Sequence, residues 1–359
     1  MIIDINFATA AGKRSPRGTS KLEKQQMRMP IRILRTAATL AVLCAGLAAF
    51  AQDKRFSMVP DNASMVVNVN YDVLYSCPTF QPIAESGEFW SPRNDLKEIP
   101  WNESGSLPDP LVVFSLQTGL RYAMLVDTET DTKDLAARIA DRYKNKKSIE
   151  TKQYGIGELL NVQRPKTDKK TKKQYLKTES QILCLGPRTA AFGRENHPID
   201  LDLFSRGTLP PAVFAPIRDL PDNVAAAGLI LRYPLRTTED LTGLAALADT
   251  GDFTLSEVEP GVAQFTLHLN CKGEKEAAAA ARRLKSVVRI AFVTLFAADR
   301  SLFREIKDSY RTESSGTRAT LEIRLPLESL VRIRAFYLAD RSIVSAATAT
   351  IKTPGDSGK

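Results

Sequence analysis

The chain has 359 residues, 43% of them hydrophobic and 25% charged, a composition that excludes a disordered or fibrous protein and leaves room for one large domain or two. The net charge of +9 suggests a nucleic-acid partner until it is divided along the chain. Residues 1–51 hold eight basic side chains against Asp4 and Glu23, a net of +6, so the remainder carries only +3 and no nucleic-acid partner is expected.

The chain opens with a leader. Arg28, Arg32 and Arg35 precede an uncharged apolar run, Ala37 to Phe50, which ends in Ala49-Phe50-Ala51. A basic n-region, an h-region and a small-x-small site together read as a secretory signal peptide cleaved after Ala51. The run falls short of the roughly 20 residues that span a bilayer, so a membrane is met only if the leader stays uncleaved. Cys44 has bulky Leu43 before it, which argues against lipid attachment. The 26 residues before Met27 are polar and patternless. Translation is therefore expected to start at Met27 or Met29, giving an exported protein of the periplasm or the extracellular space with Gln52 at its mature terminus.

Val59-Pro60-Asp61-Asn62 is a turn signal ahead of a first strand, Met65 to Val69. From Cys77 to Pro110 six prolines mark an irregular connection that also carries both tryptophans. Trp90 and Trp101 fit either a ligand platform or a cap on the edge of the core. Strands are predicted at Leu111–Leu116 and Arg121–Val126. A helix is predicted over Asp131–Lys144, capped by Thr130 or Asp131 and burying Leu135, Ile139 and Tyr143. Further strands are expected at Ile156–Val162, Gln181–Leu185 and Thr189–Phe192. Between the first two lies a lysine run, with Lys166, Lys169, Lys170, Lys172, Lys173 and Lys177 against Asp168. It reads as a solvated hairpin loop, or as a site for phosphate, sulfate or acidic glycan.

Glu195 to Pro216, with four prolines, reads as a link. Beyond it strands are predicted at Ala225–Leu231, Phe253–Val258, Val262–Cys271 and Arg318–Leu325. In Ala263 to Cys271 every second residue is apolar. After Lys272-Gly273 the period changes, and Ala277, Ala281, Leu284, Val288, Ala291, Leu295 and Ala298 share one face of a long helix. Leu327–Leu338 looks helical, and residues 346–359 form a frayed tail.

Two internal similarities suggest a repeat. Pro60-Asp61-Asn62 recurs as Pro221-Asp222-Asn223, followed by Tyr71 and Tyr233 respectively. Gly119–Ala136 also aligns without gaps on Gly261–Ala278, with Lys133 on Lys275 and Asp134 on Glu276. The expected fold class is thus α+β, with two diverged repeats at 52–194 and 217–345, each an antiparallel β-sheet packed against a long helix.

Catalytic groups are sparse. The two histidines are His197 and His268, no Cys-x-x-Cys or His-x-x-x-His spacing occurs, and no nucleophile elbow, phosphate loop or dinucleotide fingerprint is present. Neither a metal nor a cofactor is expected. Loss of Cys44 with the leader leaves Cys77, Cys184 and Cys271, of which one pair could bridge; Cys271 reads as a packed thiol. The leading functional reading is a non-enzymatic binding or scaffolding module of the cell envelope, with an envelope protein or glycan as partner. One alternative is a carboxylate-dependent envelope hydrolase, which requires two or more of Asp127, Glu129, Asp200, Asp202, Glu257 and Glu259 to meet in a cleft. The other is an anion or glycan binder built on the Lys166–Lys177 run with Trp90 or Trp101.

Overall fold

A computed structural model describes residues 54–85, 93–102, 107–115, 121–144, 146–168, 171–194, 198–232, 243–296 and 300–335. Residues 1–53, where a signal peptide is expected, Trp90, Gly119, Lys169, Lys170, His197, Tyr233, Ala298 and residues 346–359 lie outside the described residues. Those described belong to one compact unit, Asp53–Lys359.

The described residues form twelve strands: β1 Met65–Val69, β2 Leu111–Ser115, β3 Arg121–Asp127, β4 Ser148–Tyr154, β5 Gly157–Thr167, β6 Gln174–Gly186, β7 Thr189–Arg194, β8 Val224–Ile230, β9 Ala248–Glu259, β10 Val262–Cys271, β11 Tyr310–Ser315 and β12 Arg318–Pro326. They form a single antiparallel sheet in the order β11-β12-β10-β9-β8-β1-β2-β3-β7-β6-β5-β4. This corrects the expected fold class. There are not two repeats, each with its own sheet on a long helix, because β1 and β8 pair directly, from Met65↔Ile230 to Val69↔Ala226, and fuse everything into one sheet. Nor are the helices equivalent: Leu135–Tyr143 has nine residues and Glu274–Phe296 has 23.

The physical reason is legible in the two seam strands. Met-Val-Val-Asn-Val and Val-Ala-Ala-Ala-Gly lack period-two alternation, and most of their residues are buried on both faces. A strand of that kind is stable only in the middle of a sheet with layers on either side. Where one polar group enters, it is satisfied: Asn68 Nδ2 donates to the Ile217 carbonyl at 2.7 Å and to that of Arg218 at 3.1 Å.

One face of the sheet gathers Val67, Val69, Met124, Val126, Leu160, Ile182 and Phe192 under Leu74, Leu96, Leu135, Ile139 and Trp101 from the overlying helices and turns. The opposite face buries Val66, Leu111, Val113, Leu125, Leu159 and Leu183 beneath Phe56, Leu203, Phe214 and Ile217. The long helix closes the β9–β12 end, where Ala277, Ala281, Leu284 and Val288 pack on Leu269, Cys271, Ala319 and Leu321, as the change of period predicts. Asp131 caps the shorter helical segment, its carboxylate accepting from Lys133 N at 3.0 Å.

Candidate anion-binding ribbon

The lysine run is a hairpin in which β5 and β6 pair from Glu158↔Cys184 outward to Thr167↔Gln174, so Lys166 and Lys177 are strand residues while Lys172 and Lys173 lie in the connecting turn. β4 stops at Ser148↔Gln163 and β7 at Arg194↔Ser180. Beyond those points the two strands pair only with each other among the described residues, and the segment extends as a two-stranded ribbon.

Asp168 closes the tip. Its Oδ1 accepts from Thr171 N at 2.8 Å, its carbonyl accepts from Lys172 N at 2.9 Å, and its own N–H donates to the Lys173 carbonyl at 2.9 Å. Lys172 takes the left-handed conformation, φ 57°, a strain of about 1 kcal/mol for a residue with a Cβ.

The base is held by a bulge. Register slips between Val162 and Gln163, which leaves Glu179 unpaired in the ladder. Its carboxylate takes Lys147 Nζ at 3.2 Å and Arg164 Nη1 at 3.6 Å. Lys147 also meets Glu98 at 2.6 Å and lies 4.3 Å from the centre of the Tyr143 ring. Burial pulls the Lys147 ammonium toward deprotonation, yet its hydrogen bonds to Glu98 and Glu179 outweigh that and hold it above the ordinary lysine value.

Alternation then sorts the ribbon's side chains. Arg164, Lys166, Tyr175 and Lys177 share one face through the pairs Arg164↔Lys177 and Lys166↔Tyr175, while Pro165 and Leu176 lie opposite each other on the other. Tyr175 is 50% exposed and Leu176 55%. From Gln163 to Thr178 the sequence holds seven basic side chains against Asp168, a net of +6. Since residues 52–359 carry +3 in all, the rest of that stretch is net −3. The positive charge is therefore concentrated on the ribbon rather than spread over the surface.

The other predicted site residues are placed differently. Trp101 is 1% exposed; its Nε1 donates to the Leu96 carbonyl at 2.9 Å and its ring meets Phe192 edge-on at 5.9 Å. It is a core residue and leaves no ring face for a ligand, because an apolar ring gains most by burial once its N–H is satisfied.

The acids are engaged locally. Asp127 accepts from Thr189 Oγ1 at 3.1 Å and pairs with Arg55 Nε at 3.5 Å. Arg55 Nη1 also donates to the Asp109 carbonyl, and the Asp109 carboxylate accepts from Tyr71 N at 2.9 Å. Burial raises both Asp109 and Asp127, against Tyr71 N and Arg55 at the first and Arg55 and Thr189 at the second. Asp200 caps a helical turn through Asp202 N, and Glu257 accepts from Thr79 Oγ1 at 2.5 Å and Gly261 N at 3.0 Å, bonds that lower its pKa. Among the described residues no group of three metal-ligating side chains occurs.

His268 Nδ1 sits 3.0 Å from Thr320 Oγ1 on the polar face of β10, its pKa lowered mainly by burial and then by Arg318. Cys77, Cys184 and Cys271 are all free thiols, and burial pushes Cys184 up to about 11. Sequence reasoning notes Tyr175 as the one aromatic of the lysine run but misses Arg164; the alternation Arg-Pro-Lys against Tyr-Leu-Lys is the signal that puts both on the basic face. No family model, curated protein or solved structure matches the chain.

Proposed function

We propose that this is an exported, non-enzymatic binding module of the cell envelope, and that it takes a polyanionic glycan on the β5–β6 ribbon. The observation that carries the reading is the concentration of +6 on a ribbon that leaves the sheet, above a body of opposite net charge. Lysine ammoniums on flexible stems suit phosphate or sulfate groups of varied spacing, and Tyr175 adds an exposed ring against which a sugar can stack. The local engagement of Asp127, Asp200 and Glu257 supports binding over carboxylate catalysis. The basic and apolar leader, Arg28 to Ala51, supports export.

The test uses the full secreted chain on immobilised heparin as a generic sulfated glycan. Retention should fall steeply with salt, by roughly 0.7 to 0.9 logarithmic units in affinity per logarithmic unit of salt for each anionic group neutralised. Replacing Lys166, Lys169, Lys170, Lys172, Lys173 and Lys177 with Gln should abolish retention and leave the far-ultraviolet spectrum unchanged. Equal retention of the substituted protein refutes the site. N-terminal sequencing should return Gln52, and a mature chain still carrying Ile31 to Phe50 refutes cleavage.

A further inference from the structure

The sheet ends at β4, and the outer side of that strand follows from register alone. In antiparallel pairing, residues exchange backbone hydrogen bonds with the two neighbouring strands alternately. The bonds Val69 N to the Pro110 carbonyl, at 3.2 Å, and Thr128 N to the Arg188 carbonyl, at 2.9 Å, fix which residues face which neighbour. Carried across β2, β3, β7, β6 and β5 by their registers, that alternation makes Ser148, Glu150, Lys152 and Tyr154 bond to β5. The amides and carbonyls of Ile149, Thr151 and Gln153 then point outward, and among the described residues no strand lies beyond them.

We propose that this edge pairs with the same edge of a second copy, antiparallel and with the two-fold axis at Thr151. Only the outward-facing residues can form hydrogen-bonded pairs, so the register is strongly restricted. Centring on Thr151 joins Thr151 to its own copy and Ile149 to Gln153 in both directions, for about six backbone hydrogen bonds. It also sets Glu150 opposite Lys152 of the second copy, twice. Those residues form the non-hydrogen-bonded pairs, in which side chains approach most closely. The two adjacent symmetric registers fail on charge: an axis at Glu150 sets Glu150 against itself, and an axis at Lys152 sets Lys152 against itself. Axes at Ile149 or Gln153 keep the hydrogen bonding but shorten the paired stretch and lose both opposite-charge contacts. Within one chain Glu150 and Lys152 already lie 3.0 Å apart, both about half exposed, so the edge presents a compact plus-minus patch that is complementary to itself under a two-fold rotation. The opposite edge, β11, has the long helix packed beside it, and a β4-to-β11 contact would propagate without closing.

The experiment is sedimentation velocity on the full secreted chain across nanomolar to high-micromolar concentration. The wild-type protein should show a reversible dimer. Thr151→Pro removes the two central donors without touching the ladder to β5, and should raise the dimer dissociation constant by about tenfold or more. Glu150→Lys and Lys152→Glu should each be monomeric alone because both place like charges opposite one another, yet a mixture of the two should form a one-to-one heterodimer, since the pairs become opposite again. The mixing result does not depend on Thr151→Pro folding well. A wild-type monomer at every concentration overturns the proposal, including the case in which β4 serves a strand from a different protein. Single charge variants that still self-associate, or a mixture that stays monomeric, overturn it equally.

Discussion

Gly228 tests whether the sheet is one cooperative body. It lies in β8 opposite Val67 of β1 and Phe253 of β9, at the seam that joins the two halves of the chain. A Cβ placed there would meet Phe253 Cε1 and Cζ at 2.4 Å and the Val66 carbonyl oxygen at 3.1 Å. Strand propensity favours Gly228→Val by no more than about 1 kcal/mol, and the steric term opposes it. Phe253 cannot simply swing away, because its ring packs against Phe265 at 5.8 Å. Overpacking of this kind costs about 1–3 kcal/mol, so a net loss is expected. With the full propensity gain set against it the net loss is up to about 2 kcal/mol, so with a urea dependence of about 3 kcal/mol per molar the midpoint should fall by up to roughly 0.7 M. The assay follows urea unfolding by tryptophan emission and by far-ultraviolet circular dichroism. Trp101 reports from the β2–β3–β7 side, packed on Phe192. Both signals should move together and by the same amount. An unmoved tryptophan transition, with circular dichroism splitting into two steps, would show that the halves unfold separately and refute the argument.

Three further outcomes are expected. Lys147→Ala removes an ammonium whose side chain is 8% exposed and leaves Glu98 without that partner and Glu179 with Arg164 at 3.6 Å; because both acids keep some solvent and Glu179 keeps an ion pair, the loss should be about 2–3 kcal/mol by chemical denaturation, below the range for a fully buried pair, and a double-mutant cycle with Glu179→Ala should return part of it. Asp109 and Asp127 are raised in the folded state by burial, so the fold favours their protonated forms: their contribution is fully present below the unfolded carboxylate value and lost as pH rises through the raised values. The melting temperature of the wild type relative to Asp109→Asn/Asp127→Asn should therefore climb as pH falls from neutrality, and a flat difference would contradict it. Iodoacetamide at mildly alkaline pH should label Cys77 first, with Cys184 and Cys271 reacting only on unfolding; peptide mass mapping reads the order.

The sequence discloses elements in proportion to how one-sidedly they are buried. β10 alternates cleanly and the following helix changes period at Gly273, so both were legible. The two strands that went unread are β4 and β11, which are the two edges of the sheet. Ser148–Tyr154 and Tyr310–Ser315 are mostly polar because an edge strand has solvent on its outer side and needs little apolar surface to hold its place. The opposite failure occurred at the seam. β1 and β8 read correctly as strands, but their unbroken apolar runs mark central positions, and taking each as the start of a separate unit produced two sheets in place of one. Partner choice between strands is a long-range property, which no local period records. Among candidate site residues, Trp101 fits either a platform or a core cap by composition, and its burial against Phe192, far off in sequence, decides for the core.

The geometry of the hairpins bears on what the ribbon is for. Closing two antiparallel neighbours in this sheet takes two residues: Gly155-Ile156, Pro187-Arg188, Pro260-Gly261 and Gly316-Thr317 each do so. β5 and β6 instead run past both of their neighbours, keep pairing to Thr167↔Gln174, and turn through a tip that strains Lys172. Topology does not ask for that extension. Like charges along it repel, so in isolation the six lysines weaken the ribbon that carries them. Such an arrangement persists when something bound returns more than the repulsion removes, and an anion spanning both strands would do so by pairing with ammoniums that otherwise oppose one another. Thermal stability of the ribbon, read by amide exchange at Lys166 and Tyr175, should accordingly rise with sulfate more than with chloride at equal ionic strength. Equal protection in the two salts would leave the lysines as solvated surface and remove the reason for the extension.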